Sequence, residues 1–366
     1  MPVTRTVQAP LPRDAKISFP QFASYGIAME HLVQRGLDMA FVMPPRMTRR
    51  TLEVGARYSP DSVCAPFKLN LGCFLECIEL GADTLIQTGG TCRLGYYGEL
   101  HEQILRDLGK DIRFVNFAAC DFSNPKTFVD EFRQLKPDLN LKRFTAAAIQ
   151  AVRMVNAIDE VDALIRRRIG FVGDPSLLDH IHGRWLEQLR HADGLKQIEQ
   201  LRRSTIRTIE ALPIDMPRHP IRVGIVGEFF TVMDPFSNHE IERELGRMGV
   251  LVERWMDISN CLYHYRGRKM LPRIKGYAHY DMGATAMGTI DAALRYAKAG
   301  FDGIIHVKSA GCTPEIDAIP ALQNISADYR IPILYLSYDT QTSEAGLQTR
   351  LEAFYDMISM RKEAQQ

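Results

Sequence analysis

Residues 83–98 read DTLIQTGGTCRLGYYG, and the order of residue types in this stretch decides the fold class. A short apolar run is cut off by two glycines, a cysteine follows, and an amphipathic segment begins at once. This is the pattern of a buried strand, a tight turn and a helix. Residues 302–315, DGIIHVKSAGCTPE, repeat it. There the apolar strand meets a glycine and Cys312, and a Pro-Glu pair opens the next helix. Cys92 and Cys312 are therefore expected at the C-terminal ends of two parallel-type strands. In open α/β sheets that edge binds ligands, and a thiolate placed there is a soft donor suited to iron-sulfur chemistry.

Working outward, strands are expected over residues 16–20, 38–43, 83–88 and 112–117, with helices between them, including one over 24–36 that ends on Gly36. From 124 to about 210 the pattern is helical, with long charged segments and few β-branched runs. Pro213, Pro217 and Pro220 close this region. Four more strands follow, over 222–229, 251–256, 303–307 and 331–336. Helices are expected over 238–249, within 290–299 and over 344–360. Strands alternating with helices imply parallel sheets covered on both faces. The expected fold is α/β: two Rossmann-like parallel-sheet lobes, 1–123 and 221–366, with a helical insertion over 124–220.

The chain of 366 residues is 46% hydrophobic, enough for two or three cores. Lys plus Arg number 45 and Asp plus Glu 44, a net charge of +1, so no global field draws the protein to nucleic acid or to an anionic membrane. No run approaches the ~18 to 20 apolar residues of a spanning helix, and the first residues do not lead into a signal core. The expected compartment is the cytoplasm. Seven scattered cysteines, an odd number, point to reduced thiols and away from a disulfide framework. The ten histidines show no HExxH spacing, and no GxSxG elbow is present.

Cys64, Cys92 and Cys312 each stand in or beside a Gly- or Pro-containing loop. Convergent, they would give one cubane cluster three protein ligands and leave one iron open; read separately, they are small buried hydrophobes. Cys73 and Cys77 lie one helical turn apart on a stripe with Leu69 and Leu80, which favours core packing. Cys120 ends a strand and either approaches the cleft or is buried. Cys261 reads as structural. Arg93 and Lys68 could hold an anionic group, or lie solvated. Residues 283–288, GATAMG, precede a helix without the features of a P-loop or a dinucleotide fingerprint. Glu228, at a strand end, is a candidate for proton transfer if burial raises its pKa. Pairing with an arginine or a helix N-terminus is the simpler alternative.

Residues 59–72 (SPDSVCAPFKLNLG), 89–99 (GGTCRLGYYGE), 227–229 (GEF), 311–315 (GCTPE) and 344–354 (EAGLQTRLEAF) together resemble the activase-associated branch of the 2-hydroxyacyl-CoA dehydratase superfamily. The likeness runs from about Lys16 to Met360. It implies an oxygen-sensitive iron-sulfur protein that receives low-potential electrons from a separate ATP-dependent activase. The activity implied is reduction of a small molecule or dehydration of a 2-hydroxyacyl-CoA. The alternative is a non-catalytic subunit that carries a cluster or scaffolds a reductase complex, in a homo- or hetero-oligomer. Carried over by position, Cys64, Cys92 and Cys312 would be the metal ligands. Many relatives resemble Cys-Gly-Pro-Cys-Arg where this chain has Gly89-Gly90-Thr91-Cys92-Arg93. One ligand fewer favours a single 4Fe-4S cluster held by three cysteines over a double cubane.

Overall fold

The computed structural model describes residues 10–88, 92, 94–117, 125–263 and 267–364. The chain divides into two compact units, one of residues 1–61 and 67–154, the other of residues 62–66 and 155–366.

The first unit is built on four parallel strands, β1 (Lys16–Ser18), β2 (Ala40–Phe41), β3 (Thr84–Thr88) and β4 (Arg113–Phe117), in the order β2-β1-β3-β4. Between β1 and β2 lies α1 (Gly26–His31), which continues as a π-helical turn (Leu32–Leu37). The expected stop at Gly36 is displaced by two residues: Asp38, in the left-handed region at φ 57°, ends the element. Helices α2 (Arg49–Tyr58) and α3 (Ala65–Glu79) follow, and Thr48 and Thr51 close a reciprocal cap at the start of α2. After β3 comes α4 (Leu94–Asp107), and after β4 come α5 (Pro125–Leu135) and α6 (Leu141–Arg168), within which the division between units falls.

Both faces of the first sheet are covered. Phe74 of α3 meets Phe114 of β4 edge-on, while Phe132 of α5 packs on Phe117, one residue out of phase and so on the opposite face.

In the second unit the end of α6 is followed by α7 (Ser176–Arg190) and α8 (Leu195–Glu210), whose buried faces carry Leu178, Trp185, Leu189, Ile198 and Ile209. The expected helical region is present, with α5 and α6 as its earlier members. Four longer strands follow: β5 (Ile221–Gly227), β6 (Val250–Arg254), β7 (Gly303–Ser309) and β8 (Ile333–Tyr338), all parallel and in the order β6-β5-β7-β8. Linking them are α9 (Phe229–Met233), α10 (Ile241–Arg247), α11 (Ile258–Tyr263), α12 (Gly267–Ile274), α13 (Ala286–Lys298), α14 (Thr313–Tyr329) and α15 (Glu344–Glu363). The ring of Tyr296 on α13 fills the space above Gly224, and Phe354 of α15 lies over Gly303 on the other face. Strand β7 is buried along its whole length, as a strand covered on both sides must be. Each unit thus carries four parallel strands, as the sequence implies, in one shared order.

Candidate functional site

That order fixes where a ligand can enter. In each sheet the connections run one way from the first strand to the second and the other way to the third, so the crevice lies between first and third strands at their carboxyl ends. In the second unit this is the gap between β5 and β7.

β5 ends on Gly227 at φ 144°, and a Cβ built there would fall 1.8 Å from the Val307 carbonyl oxygen. Only glycine lets the two strands close at that point. Glu228 follows, its backbone N–H donating to Val307 O at 3.0 Å. Its side chain, 5% exposed, turns back on α9, accepting from the N–H groups of Phe230 (2.7 Å) and Thr231 (2.8 Å) and from the Thr231 hydroxyl. Burial raises the Glu228 pKa above the usual carboxylate range against those hydrogen bonds, and the charge of Glu315 adds to the rise. The acid is therefore buried and raised, and it also caps a helix.

Across the crevice β7 ends at Ser309, and the Cys312 N–H returns to the Ser309 carbonyl at 3.0 Å before Cys312 caps α14. The segment of Cys64 packs on this corner. Ala65 N–H donates to Ser309 Oγ at 3.1 Å, and a Cβ on Gly311 would lie 4.0 Å from Cys64 Cα and Cβ. Two of the three expected cysteine loops are thus held together, although 248 positions separate them (312 − 64).

Lys308, 7% exposed, is held by Ala310 O at 3.4 Å; burial lowers its pKa while the charges of Cys312 and Glu315 oppose the fall. Glu315, fully buried in the first turn of α14, accepts from His306 Nε2 (2.8 Å), Thr289 Oγ1 (3.1 Å) and the Thr285 hydroxyl. Among the described residues, the buried His306 Nδ1 has no hydrogen-bond partner.

In the first unit the corresponding crevice lies between β1 and β3. Cys92, half-buried, stands between β3 and α4, and its carbonyl accepts from Gly95 N–H at 3.1 Å. Two buried polar groups near this edge, among the described residues, are Gln87 and His101. His101, fully buried and stacked on Phe67, lies 2.6 Å from Gln87 Oε1 and 3.0 Å from Phe67 O. Burial drives its pKa down to about 3, so the ring is neutral and has a single N–H to give.

The remaining candidates sort clearly. Cys73 and Cys77 are core residues, their sulfurs 4.0 Å apart; Cys73, its pKa raised chiefly by its hydrogen bond to Cys77 and by burial, keeps its proton. Leu80 does not share their buried stripe: it follows the last residue of α3 and is 58% exposed. Burial pushes the Cys261 thiol up to about 12, as befits a structural residue. Lys68 Nζ donates to Asp61 O at 3.4 Å. The threonines around residues 283–288 turn to Glu315. Cys120, Arg93 and residues 89–91 lie outside the described residues. Sequence reasoning missed His306, Lys308 and Glu315. The signal was there: polar residues at alternate positions within a strand otherwise apolar, and an acid three residues after Cys312.

Among the described residues, no three His, Cys, Asp or Glu side chains gather closely enough to ligate a metal ion. Cys64 and Cys312 directly precede helices of 15 and 17 residues, and Cys92 stands two residues before one of 14. A helix N-terminus favours a thiolate and any anionic group it holds.

Residues 274–358 match the family model described as 2-hydroxyglutaryl-CoA dehydratase, D-component. The matched span runs from the end of α12 into α15 and holds His306, Lys308, Cys312 and Glu315. No curated protein matches the chain. A manganese-bound periplasmic metal-binding protein from Candidatus Liberibacter asiaticus superposes over 94% of this chain and 99% of its own at 10% identity, with a TM-score of 0.26. No helix is long and apolar enough to cross a membrane among the described residues.

Proposed function

We propose that this chain, whose residues 274–358 match the 2-hydroxyglutaryl-CoA dehydratase D-component family model, is the iron-sulfur component of an activase-driven reductase or dehydratase. Cys64, Cys92 and Cys312 would hold one 4Fe-4S cluster, which would supply single electrons at low potential. The cysteines share one chemical setting, each at the head of a helix. Lys308, near the end of β7 before the turn to Cys312, brings a positive charge to the same corner. Glu228, buried at the same crevice with its pKa raised by burial, is the group for proton transfer to the reduced substrate or its leaving group. An ATP-dependent partner protein provides the electrons, and the substrate is a small molecule or an acyl-CoA.

The observation that carries this reading is the seating of the Cys64 segment on the Ser309–Cys312 corner, inside the unit that holds the matched family region. The test is iron and sulfide content after anaerobic purification, beside Cys64→Ala, Cys92→Ala and Cys312→Ala. The expected result is an oxygen-labile cluster absorption in the parent that each substitution abolishes. A parent without iron, or variants with undiminished iron, would overturn it. Turnover with an activase and ATP then separates an enzyme from a subunit that only carries the cluster.

A further inference from the structure

The imidazole of His101 faces two oxygens: Nδ1 lies 2.6 Å from Gln87 Oε1 and Nε2 lies 3.0 Å from the Phe67 carbonyl. A neutral ring can donate to only one of them. We propose that His101 is a positioning residue, its Nε2–H given to Phe67 and its Nδ1 accepting from the Gln87 carboxamide, and that this bridge fixes the two chain segments leading to Cys64 and Cys92. Phe67 stands in the first turn of α3, which begins directly after Cys64. Gln87 is the last residue but one of β3, the strand that precedes Cys92. His101 itself belongs to α4, the helix that follows Cys92.

The backbone selects this arrangement. The Phe67 carbonyl cannot turn, so the nitrogen facing it carries the proton; the other tautomer would set a nitrogen lone pair against an oxygen at 3.0 Å. Nδ1 is then an acceptor and needs a donor. Gln87 has one to give, because among the described residues its Nε2 is buried with no hydrogen-bond partner. A carboxamide exchanges its two ends by a half-turn about its last bond. That turn brings the NH2 to Nδ1 and leaves a carbonyl oxygen in the buried position, where a missing partner is less rare than for an N–H. An imidazolium would satisfy both oxygens, but with no acid among its hydrogen-bond partners a charged ring is unfavourable in a fully buried place. The pKa lowered to about 3 agrees. Nor is the ring free to move: it stacks on Phe67 with 3.8 Å between centroids and meets Phe74 edge-on at 5.4 Å. A buried, satisfied polar group held in this way ties α3, β3 and α4 at one spacing.

What the bridge positions rests on the proposed cluster; how the ring is bonded does not, and the test takes the two in turn. In the iron-free protein at neutral pH, nitrogen-15 shifts should show His101 as the Nε2–H tautomer, with a Gln87 side-chain N–H bonded to Nδ1. An Nδ1–H ring or an imidazolium would overturn the proposal. In the protein carrying iron, His101→Gln can still donate to Phe67 and accept from Gln87, and should keep the parent's electron paramagnetic resonance spectrum of the reduced cluster. His101→Phe keeps the stack and loses both bonds; it should broaden that spectrum and speed iron release to a chelator on the order of tenfold. Two variants alike in spectrum and release would overturn the positioning role. If His101→Phe does not fold, Gln87→Met, which removes one of the bonds, takes its place and should shift both readouts in the same direction; readouts unmoved by it would overturn the role equally. A parent without iron fails the proposed function and the positioning role together, whereas the wrong tautomer fails this proposal alone.

Discussion

The two sheets share a strand order, and each places a cysteine after its third strand, ahead of a helix. Their inward polar residues differ in kind. The first sheet carries Gln87, Asn116 and the neutral His101; the second carries Glu228, His306, Lys308 and Glu315. Topology decides where a cysteine stands, and the polar residues beneath it decide what else can happen there. In the proposed reaction the first sheet offers a ligand only, while the second offers ligands and protons.

The comparison can be broken most severely at Gly227. Ser18, which ends β1, carries a side chain whose hydroxyl donates to Val42 O at 2.8 Å. At Gly227 a Cβ would stand 1.8 Å from backbone oxygen, at a φ of 144°. Gly227→Ala should cost the second unit on the order of 4 kcal/mol or more. Both tryptophans, Trp185 and Trp255, are buried in that unit, so their fluorescence during urea unfolding reports on it directly. A midpoint within error of the parent would mean that the crevice is not closed by this contact.

The sheets should also part company in their response to pH. His101 titrates at about 3 in the folded chain, against 6.5 unperturbed. The unfolded chain therefore binds the extra proton between those values. Stability is complete above 6.5 and drains as the pH falls, by roughly 3 kcal/mol at pH 4. Glu228 has the opposite sign: its raised pKa gives stability that is present in acid and lost as the pH climbs above the usual carboxylate range. His101→Gln should flatten the acid limb of a thermal-unfolding profile followed by circular dichroism, with little change in the tryptophan signal. An unaltered acid limb would show that the ring is not held neutral between Gln87 and Phe67.

Much of this was legible in the sequence, because a strand that must be buried on both faces is written as an apolar run, and glycine with proline marks its end. Residues 84–88 and 303–309 could hardly be anything else. Cys92 and Cys312 were legible for the same reason, since the turn that exposes them is local. The seating of Cys64 was not legible: it depends on a Ser309 hydroxyl 244 positions from Ala65, and no local pattern encodes that contact. The buried charges were half-hidden. A histidine and a lysine two apart in an apolar strand signal inward polar groups, but their partner Glu315 lies on a helix whose start reads simply as Pro-Glu. The π-helical turn was hidden by Gly36, an ordinary helix stop by type, because the left-handed residue that ends the element is Asp38.

The smallest test bears on charge. Thr289 Oγ1 donates to Glu315, whereas Ser18 Oγ in the first sheet donates to a neutral carbonyl. A hydrogen bond to an ionised acceptor is worth about twice one to a neutral acceptor. Thr289→Val should therefore cost about 2 kcal/mol, and Ser18→Ala about 1, in urea unfolding of the respective units. Because valine matches threonine in shape, the difference reports the acceptor rather than the packing. Equal losses would mean that the Glu315 side chain is no stronger an acceptor for Thr289 than the Val42 carbonyl is for Ser18, and the contrast between the polar groups of the two sheets would fail at its most specific point.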